Sequence, residues 1–249
     1  MPHIFDNIEL SLLKTLKETL RSAVKADFCV GYFNLRGWGK IDQDVEQLPG
    51  SCRLMVGMQR LPEEELRRSL AIGSAPKRID RQESMRLQKL MAQKFREQLT
   101  VGAPTDADEQ GLQRLKHQLQ AGKLTVKLFL RHPLHAKLYL AHRTDHITPI
   151  VGFLGSSNLT LSGLQYQGEL NVDVTDSDAI QKLQHWFDER WQDQFCLDIT
   201  SDLADIIEES WAREELIKPY YVYLKMAYHL SQEARDGLSQ YQAPHSLDY

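Results

Sequence analysis

Two periodicities alternate along this chain, and together they predict a mixed α/β protein. Between residues 8 and 24, Leu10, Leu13, Leu16 and Leu20 recur at three- and four-residue intervals, the stripe of an amphipathic helix. Apolar runs of strand length follow at 28–33 and 52–57, with a short helix near 37–48 between them. Residues 62–100 read as helical, interrupted by the loop signal Ile72-Gly73-Ser74-Ala75-Pro76. A second break, Gly102-Ala103-Pro104-Thr105-Asp106, leads to a helix near 107–121 with Asp106 as its cap. Runs at 124–130, 135–141, 149–154 and 168–174 predict four further strands, with a short helix at 160–164. Ser177 then caps a helix to about Gln192, on which Leu183, Phe187 and Trp191 share a face bordered by Trp186. These aromatics read as packing rather than base stacking.

The polar residues at the ends of the later runs carry the chemistry. In His135-Ala136-Lys137, on a strand, positions i and i+2 point the same way, so an ammonium sits beside an imidazole. His135, Lys137 and Tyr139 then share one face, and Ala136, Leu138 and Leu140 the other, which predicts a strand with one face in the core. Gly155-Ser156-Ser157-Asn158 follows the next run, where a glycine-bearing turn lets backbone donors approach an anion and Ser156 and Asn158 add side-chain donors. Glu169 opens the last run, and a carboxylate beside an imidazole fixes its tautomer. Cleaving a phosphodiester needs such a set: a nucleophile, donors for the non-bridging oxygens, and an acid for the leaving alcohol.

This His-x-Lys, Gly-Ser-Ser-Asn, Glu pattern resembles the catalytic motif of the phospholipase D superfamily, whose members cleave phosphodiesters through a covalent phosphohistidine. The resemblance covers roughly residues 1–195 and implies a phospholipase D-like mixed β-sheet flanked by helices. It assigns His135 as nucleophile, Lys137, Ser156 and Asn158 as phosphate ligands, and Glu169 as the residue orienting the imidazole. One position departs. Where lipid-cleaving members carry an Asp after the Lys, this chain has His142, as nuclease-like members often do without that Asp. More narrowly, Ile4-Phe5-Asp6-Asn7 with Val30-Gly31-Tyr32-Phe33-Asn34-Leu35 resembles the N-terminal domain of certain large bacterial superfamily 2 helicases.

Charge and composition refine the picture. The net charge of -4 conceals a segment at 60–96 carrying +5 and one at 176–217 carrying -9. The basic segment reads either as a track for a nucleic-acid backbone, with Arg78, Arg81, Arg86 and Lys89 as contacts, or as a solvated helical surface. Cys29, Cys52 and Cys196 are odd in number and far apart, as buried free thiols of a reducing compartment are. With no basic region followed by an apolar stretch at the N-terminus and no run near the roughly 18 residues of a membrane span, the reading is a cytoplasmic protein without a membrane partner. His132, His135, His142 and His146 form a His-rich patch, but an ammonium beside His135 repels a cation, so no metal and no other cofactor is expected.

The domain reading places a catalytic domain at 1–195, with a helical insertion at about 60–121, and a helical extension or linker at 196–249. The extension's Pro219-Tyr220-Tyr221-Val222-Tyr223 run reads as a helix packing on a neighbouring domain. The chain lacks a Gly-x-x-x-x-Gly-Lys-Ser/Thr phosphate loop, so it is not itself a helicase motor, although a motor in a longer protein fits the resemblance. The functional expectation is a metal-independent phosphodiesterase acting on DNA. Because the motif occurs once and the family's reaction uses two imidazoles, the expected form is a homodimer with a composite active site. Two alternatives stand beside it: a catalytically silent DNA-binding or dimerisation module of a helicase, and a lipid phosphodiesterase, which would need an apolar interfacial surface.

Overall fold

A computed structural model of the chain describes residues 2–57, 81–99 and 106–209. The first part of the basic segment, including Arg78, and the tyrosine-rich stretch lie outside the described residues. So does the side chain of Arg81.

Eight strands form one mixed sheet in the order β1-β7-β6-β5-β2-β3-β4-β8. They are β1 (Ile4–Phe5), β2 (Ala23–Val30), β3 (Cys52–Gly57), β4 (Leu124–Phe129), β5 (Leu138–Arg143), β6 (Ile150–Gly155), β7 (Asn171–Val174) and β8 (Cys196–Asp198). The β2–β3 and β3–β4 pairs are parallel, and every other pair is antiparallel. This polarity brings the C-terminal ends of β2, β3, β4 and β6 and the N-terminal ends of β5 and β7 to one edge. The helices are α1 (Leu12–Arg21), α2 (Leu35–Trp38), α3 (Asp42–Glu46), α4 (Arg81–Leu99), α5 (Asp106–Gln120), α6 (Ser177–Trp191) and α7 (Thr200–Glu208), with a π-helical turn at Ser162–Tyr166.

The period-two pattern of the strands sorts their side chains between two cores. Phe28, Leu54, Val126 and Tyr139 turn to the larger one, where Leu16 of α1, Phe95 of α4, Leu115 of α5 and Leu203 of α7 cover them. Cys29, Met55, Phe129, Leu138 and Leu140 turn to the other face, under Ile180, Phe187 and Trp191 of α6. Each such side chain taken fully from water stabilises the fold by about 1.5–3 kcal/mol. The alternation expected around Tyr139 is therefore present, but both faces of β5 are covered where one buried face was expected. No helix among the described residues is long and apolar enough to cross a membrane.

Several boundaries move for local reasons. The first helix starts at Leu12 instead of near residue 8, because Asp6 Oδ1 takes the amides of Ile8, Glu9 and Leu10 at 2.9, 2.8 and 3.2 Å and Ser11 caps the helix. Asp176, not Ser177, caps α6, accepting from Ala179 N at 2.9 Å. The expected 37–48 helix is two short ones, α2 and α3. Beyond residue 195, β8 pairs with β4 and α7 packs into the larger core, so this stretch joins the compact unit Met1–Ala212. The thiols of Cys29, Cys52 and Cys196 are all free and buried, and burial pushes Cys29 and Cys196 up to about 12.

Candidate active site

The segment between β4 and β5 crosses the sheet edge, and two glycines make room for it. A Cβ on Gly57, at the end of β3, would stand 2.2 Å from Leu134 O and 2.8 Å from Leu134 Cβ. A Cβ on Gly31, just past β2, would meet Leu134 O at 3.2 Å, Asn158 Oδ1 at 3.4 Å and His135 Cα at 3.5 Å. Leu134 is itself buried in the core under α6, so it pegs the crossing chain down and leaves His135 exposed just beyond it. The expected strand 135–141 accordingly begins only at Leu138. Replacing Gly57 with Ala is expected to lift this segment by an ångström or so and lower turnover on the order of 10²-fold, with the melting temperature measured alongside. Unchanged turnover in a folded Gly57→Ala protein would show that the crossing does not set the site.

Gly31 is also the meeting point of three motif segments. Asn158 Oδ1 accepts a hydrogen bond from Tyr32 N at 2.9 Å, and Phe33 forms a parallel bridge with Leu159. A backbone N–H can face only the amide oxygen, so this bond turns Asn158 Nδ2 away as a donor. Lys137 Nζ donates to His135 O at 2.5 Å, which keeps the ammonium beside the imidazole-bearing residue. His135, Lys137 and Asn158 thus come together at the sheet edge. The imidazole of His135 takes no hydrogen bond among the described residues.

The glycine-bearing turn differs from expectation. Three of its four amides are occupied: Gly155 N donates to Lys137 O at 3.2 Å, Ser156 N to Leu170 O at 3.1 Å, and Ser157 N to Asn171 Oδ1 at 3.2 Å. The donors of this turn left for an anion, among the described residues, are Asn158 N and Asn158 Nδ2, since the Ser156 hydroxyl gives its proton to Glu169. The Ser156 hydroxyl donates to Glu169 Oε2 and accepts from Leu170 N at 2.9 Å. Glu169 is therefore bonded to Ser156, and no hydrogen bond joins it to His135 among the described residues. Glu169 precedes the strand it was expected to open, because its amide and that of Leu170 go to Asp6 O and Ser156 Oγ.

The other expected residues are scattered. Arg86 and Lys89 are exposed on α4, but Lys89 lines a cleft with Asp202, Asp205, Glu208 and Glu209, carboxylates that repel a phosphate backbone. His132 is exposed, its Nδ1 3.1 Å from Pro133 O and its ring edge-on to Phe129. His142 instead points under α6, where its Nε2 lies 2.7 Å from Asp27 Oδ2. Asp27 also takes both Arg53 Nε at 2.5 Å and Arg53 Nη2 at 2.7 Å, and Arg53 Nη2 reaches Asp188 Oδ1 at 2.8 Å. Burial pushes the Asp27 carboxyl up, but the bonds from Arg53 and His142 outweigh it and hold it below its ordinary value. The carboxylate absent from position 142 is thus met across the strand pair, from β2.

Sequence reasoning missed Leu134, Gly31, Gly57, Tyr139 and Asn171 as builders of the site. A visible signal existed for Asn171, an amide between Leu170 and Val172 in an apolar run, which must find partners when buried.

His135, Lys137 and Asn158 lie at one edge of a helix-flanked mixed sheet, and comparison with known proteins gives the family. Residues 65–191, just over half of the chain, match the family model described as cardiolipin synthase, PLD-like domain. The chain belongs to this family of phospholipase D-like domains. No curated protein matches it. Among solved structures, it is similar to Nuc from Salmonella typhimurium, a phospholipase D family member, with 11% identity, 80% of this chain and 97% of that chain covered, and a TM-score of 0.47. NucT from Helicobacter pylori is 11% identical over 80% of this chain and 98% of that one, with a TM-score of 0.42. Phosphatidylserine synthase from Haemophilus influenzae Rd KW20 is 12% identical over 84% of this chain and 44% of its own, with a TM-score of 0.47.

Proposed function

We propose that this chain is a metal-independent phosphodiesterase that cleaves DNA through a phosphohistidine intermediate. The observation that carries the reading is the convergence of His135, Lys137 and Asn158 at Gly31. His135 attacks phosphorus through a ring nitrogen, forming an N–P bond as the P–O bond to the leaving strand breaks. Lys137 Nζ and Asn158 Nδ2 hold the non-bridging oxygens as charge builds on them. A second imidazole, His135 of another copy, gives its proton to the leaving oxygen. Water then cleaves the N–P bond and regenerates the enzyme. Glu169 acts on this site through Ser156, whose hydroxyl it orients. A helicase motor elsewhere in a longer protein is the proposed context for the activity.

The mechanism requires two things at once. Lys137 and Asn158 supply the stabilisation that divalent ions give in two-metal nucleases, so cleavage of labelled DNA is expected to persist in excess EDTA. The active species is expected to be a dimer, and mixing wild-type with His135→Ala chains should yield heterodimers with little turnover. Strict dependence on added magnesium, or full activity from a demonstrated monomer, refutes the mechanism.

A second reading has one observation in its favour. Ile8, Tyr166 and Leu170 are 81%, 72% and 66% exposed around Glu169, an apolar rim of the kind a lipid phosphodiesterase needs. Hydrolysis of phospholipid vesicles with DNA left uncut would select it.

A further inference from the structure

Ser157, between Ser156 and Asn158 in the glycine-bearing turn, is fully buried, and its amide, hydroxyl oxygen and carbonyl each have a partner. Its amide donates to Asn171 Oδ1 at 3.2 Å. Its hydroxyl oxygen accepts from Asn171 Nδ2 at 2.8 Å. Its carbonyl accepts from the Tyr139 hydroxyl at 2.9 Å. These contacts fix the orientation of the Asn171 amide, since Nδ2 also faces the Phe5 carbonyl, which can only accept. Tyr139 is 1% exposed and Asn171 2%. Burial, with the nearby Cys29 and the charge of Glu169, pushes the Tyr139 hydroxyl above its ordinary value, so it stays a donor.

We infer that Tyr139 and Asn171 are positioning residues that clamp Ser157, and through it aim the Asn158 side-chain amide at the substrate phosphate. The inference rests on the phosphodiesterase reading above for its substrate, but not for its geometry. A backbone segment held at amide, carbonyl and side chain cannot rotate about its own axis. Without the clamp, Asn158 would keep only the Tyr32 amide on its side chain and the Thr160 amide on its carbonyl, and Ser156 only its Glu169 and Leu170 contacts. Neither clamp residue touches substrate in this assignment.

Two variants of the full chain test it: Tyr139→Phe, which removes one hydroxyl with little change in volume, and Asn171→Leu, which removes both amide contacts. Amide hydrogen exchange is read at 156–158 and, as a control for folding, in β5. Turnover is read on bis(p-nitrophenyl) phosphate. Both are expected to speed exchange at 156–158 at least tenfold while β5 stays protected. In both, kcat should fall on the order of 10- to 100-fold, with KM moving less than about threefold. Unchanged exchange in both variants, or loosened exchange with unchanged kcat per folded chain, overturns the inference. If the wild type hydrolyses no phosphodiester, the proposed function fails instead, and the inference is decided by inorganic phosphate. Phosphate binding at the Asn158 side-chain amide that weakens tenfold in both variants sustains it, and binding that is absent or unaltered overturns it.

Discussion

Replacing His135 with alanine is expected to abolish phosphodiester turnover and to leave the fold and DNA binding in place. The loss should be on the order of 10⁴- to 10⁶-fold in kcat, as for other nucleophile deletions, because no other described group at this edge is placed to attack phosphorus. The fold should survive because the His135 side chain is exposed and makes no hydrogen bond among the described residues. What holds the segment is Leu134 in its glycine-lined seat, which the substitution does not touch. Lys137→Ala should lose about 10²- to 10³-fold, by removal of charge from the non-bridging oxygens. Wild-type cleavage by His135→Ala in a nuclease-free preparation would show that the nucleophile has been misassigned.

The largest effect on stability is expected at Asp27, far along the same strand pair. Asp27→Asn should destabilise the protein by about 3–5 kcal/mol, the usual cost of breaking a buried ion pair by removing one partner. Asp27 is fully buried and is the only carboxylate shared by Arg53 and His142 among the described residues, so both lose its charge at once, and the single oxygen left on Asn cannot replace the two that they share. The pH dependence has a definite sign. The folded carboxyl titrates below its ordinary value, so its contribution is fully present above the usual carboxylate range. It is lost as pH falls through the lowered folded value. Urea midpoints of wild type and variant should therefore differ most near neutrality and approach each other toward pH 3. A gap that widens on acidification would mean that the pair does not favour the ionised form.

The strand and helix content was legible because both periods are strong, and residues 52–57 form a strand over the predicted span. The motif residues were legible as a set because they close short apolar runs that the sheet brings to one edge. What the sequence hid was competition for backbone amides. Asp6 takes three that a helix pattern assigned to α1, and Ser156 and Asp6 take two that a strand pattern assigned to β7. The same competition occupies three of the four amides of the Gly155 turn, which composition alone presents as free anion donors. The Asp27–His142 pair joins residues 115 positions apart, and nothing in a local pattern marks a histidine inside an apolar run as the partner of a distant carboxylate. Gly57 looked like an ordinary strand end, because the chain that passes over it comes from more than seventy residues downstream.

The short first strand also governs when the site can come into being. Phe5 O meets Asn171 across a separation of 166 residues, and Asp6 O takes the amide of Glu169. During synthesis, the opening residues must wait, unpaired, until the ribosome has released nearly the whole sheet. Closing so long a loop is slow in the sense that its entropy must be met before any contact rewards it. The early strands and α1 can collapse around their apolar stripe well before then, but the phosphate-facing turn acquires its last support only with β7. In order of synthesis the candidate site can thus be completed only once β7 has emerged, and the layers beneath it close later still, when α6 and α7 arrive to cover them.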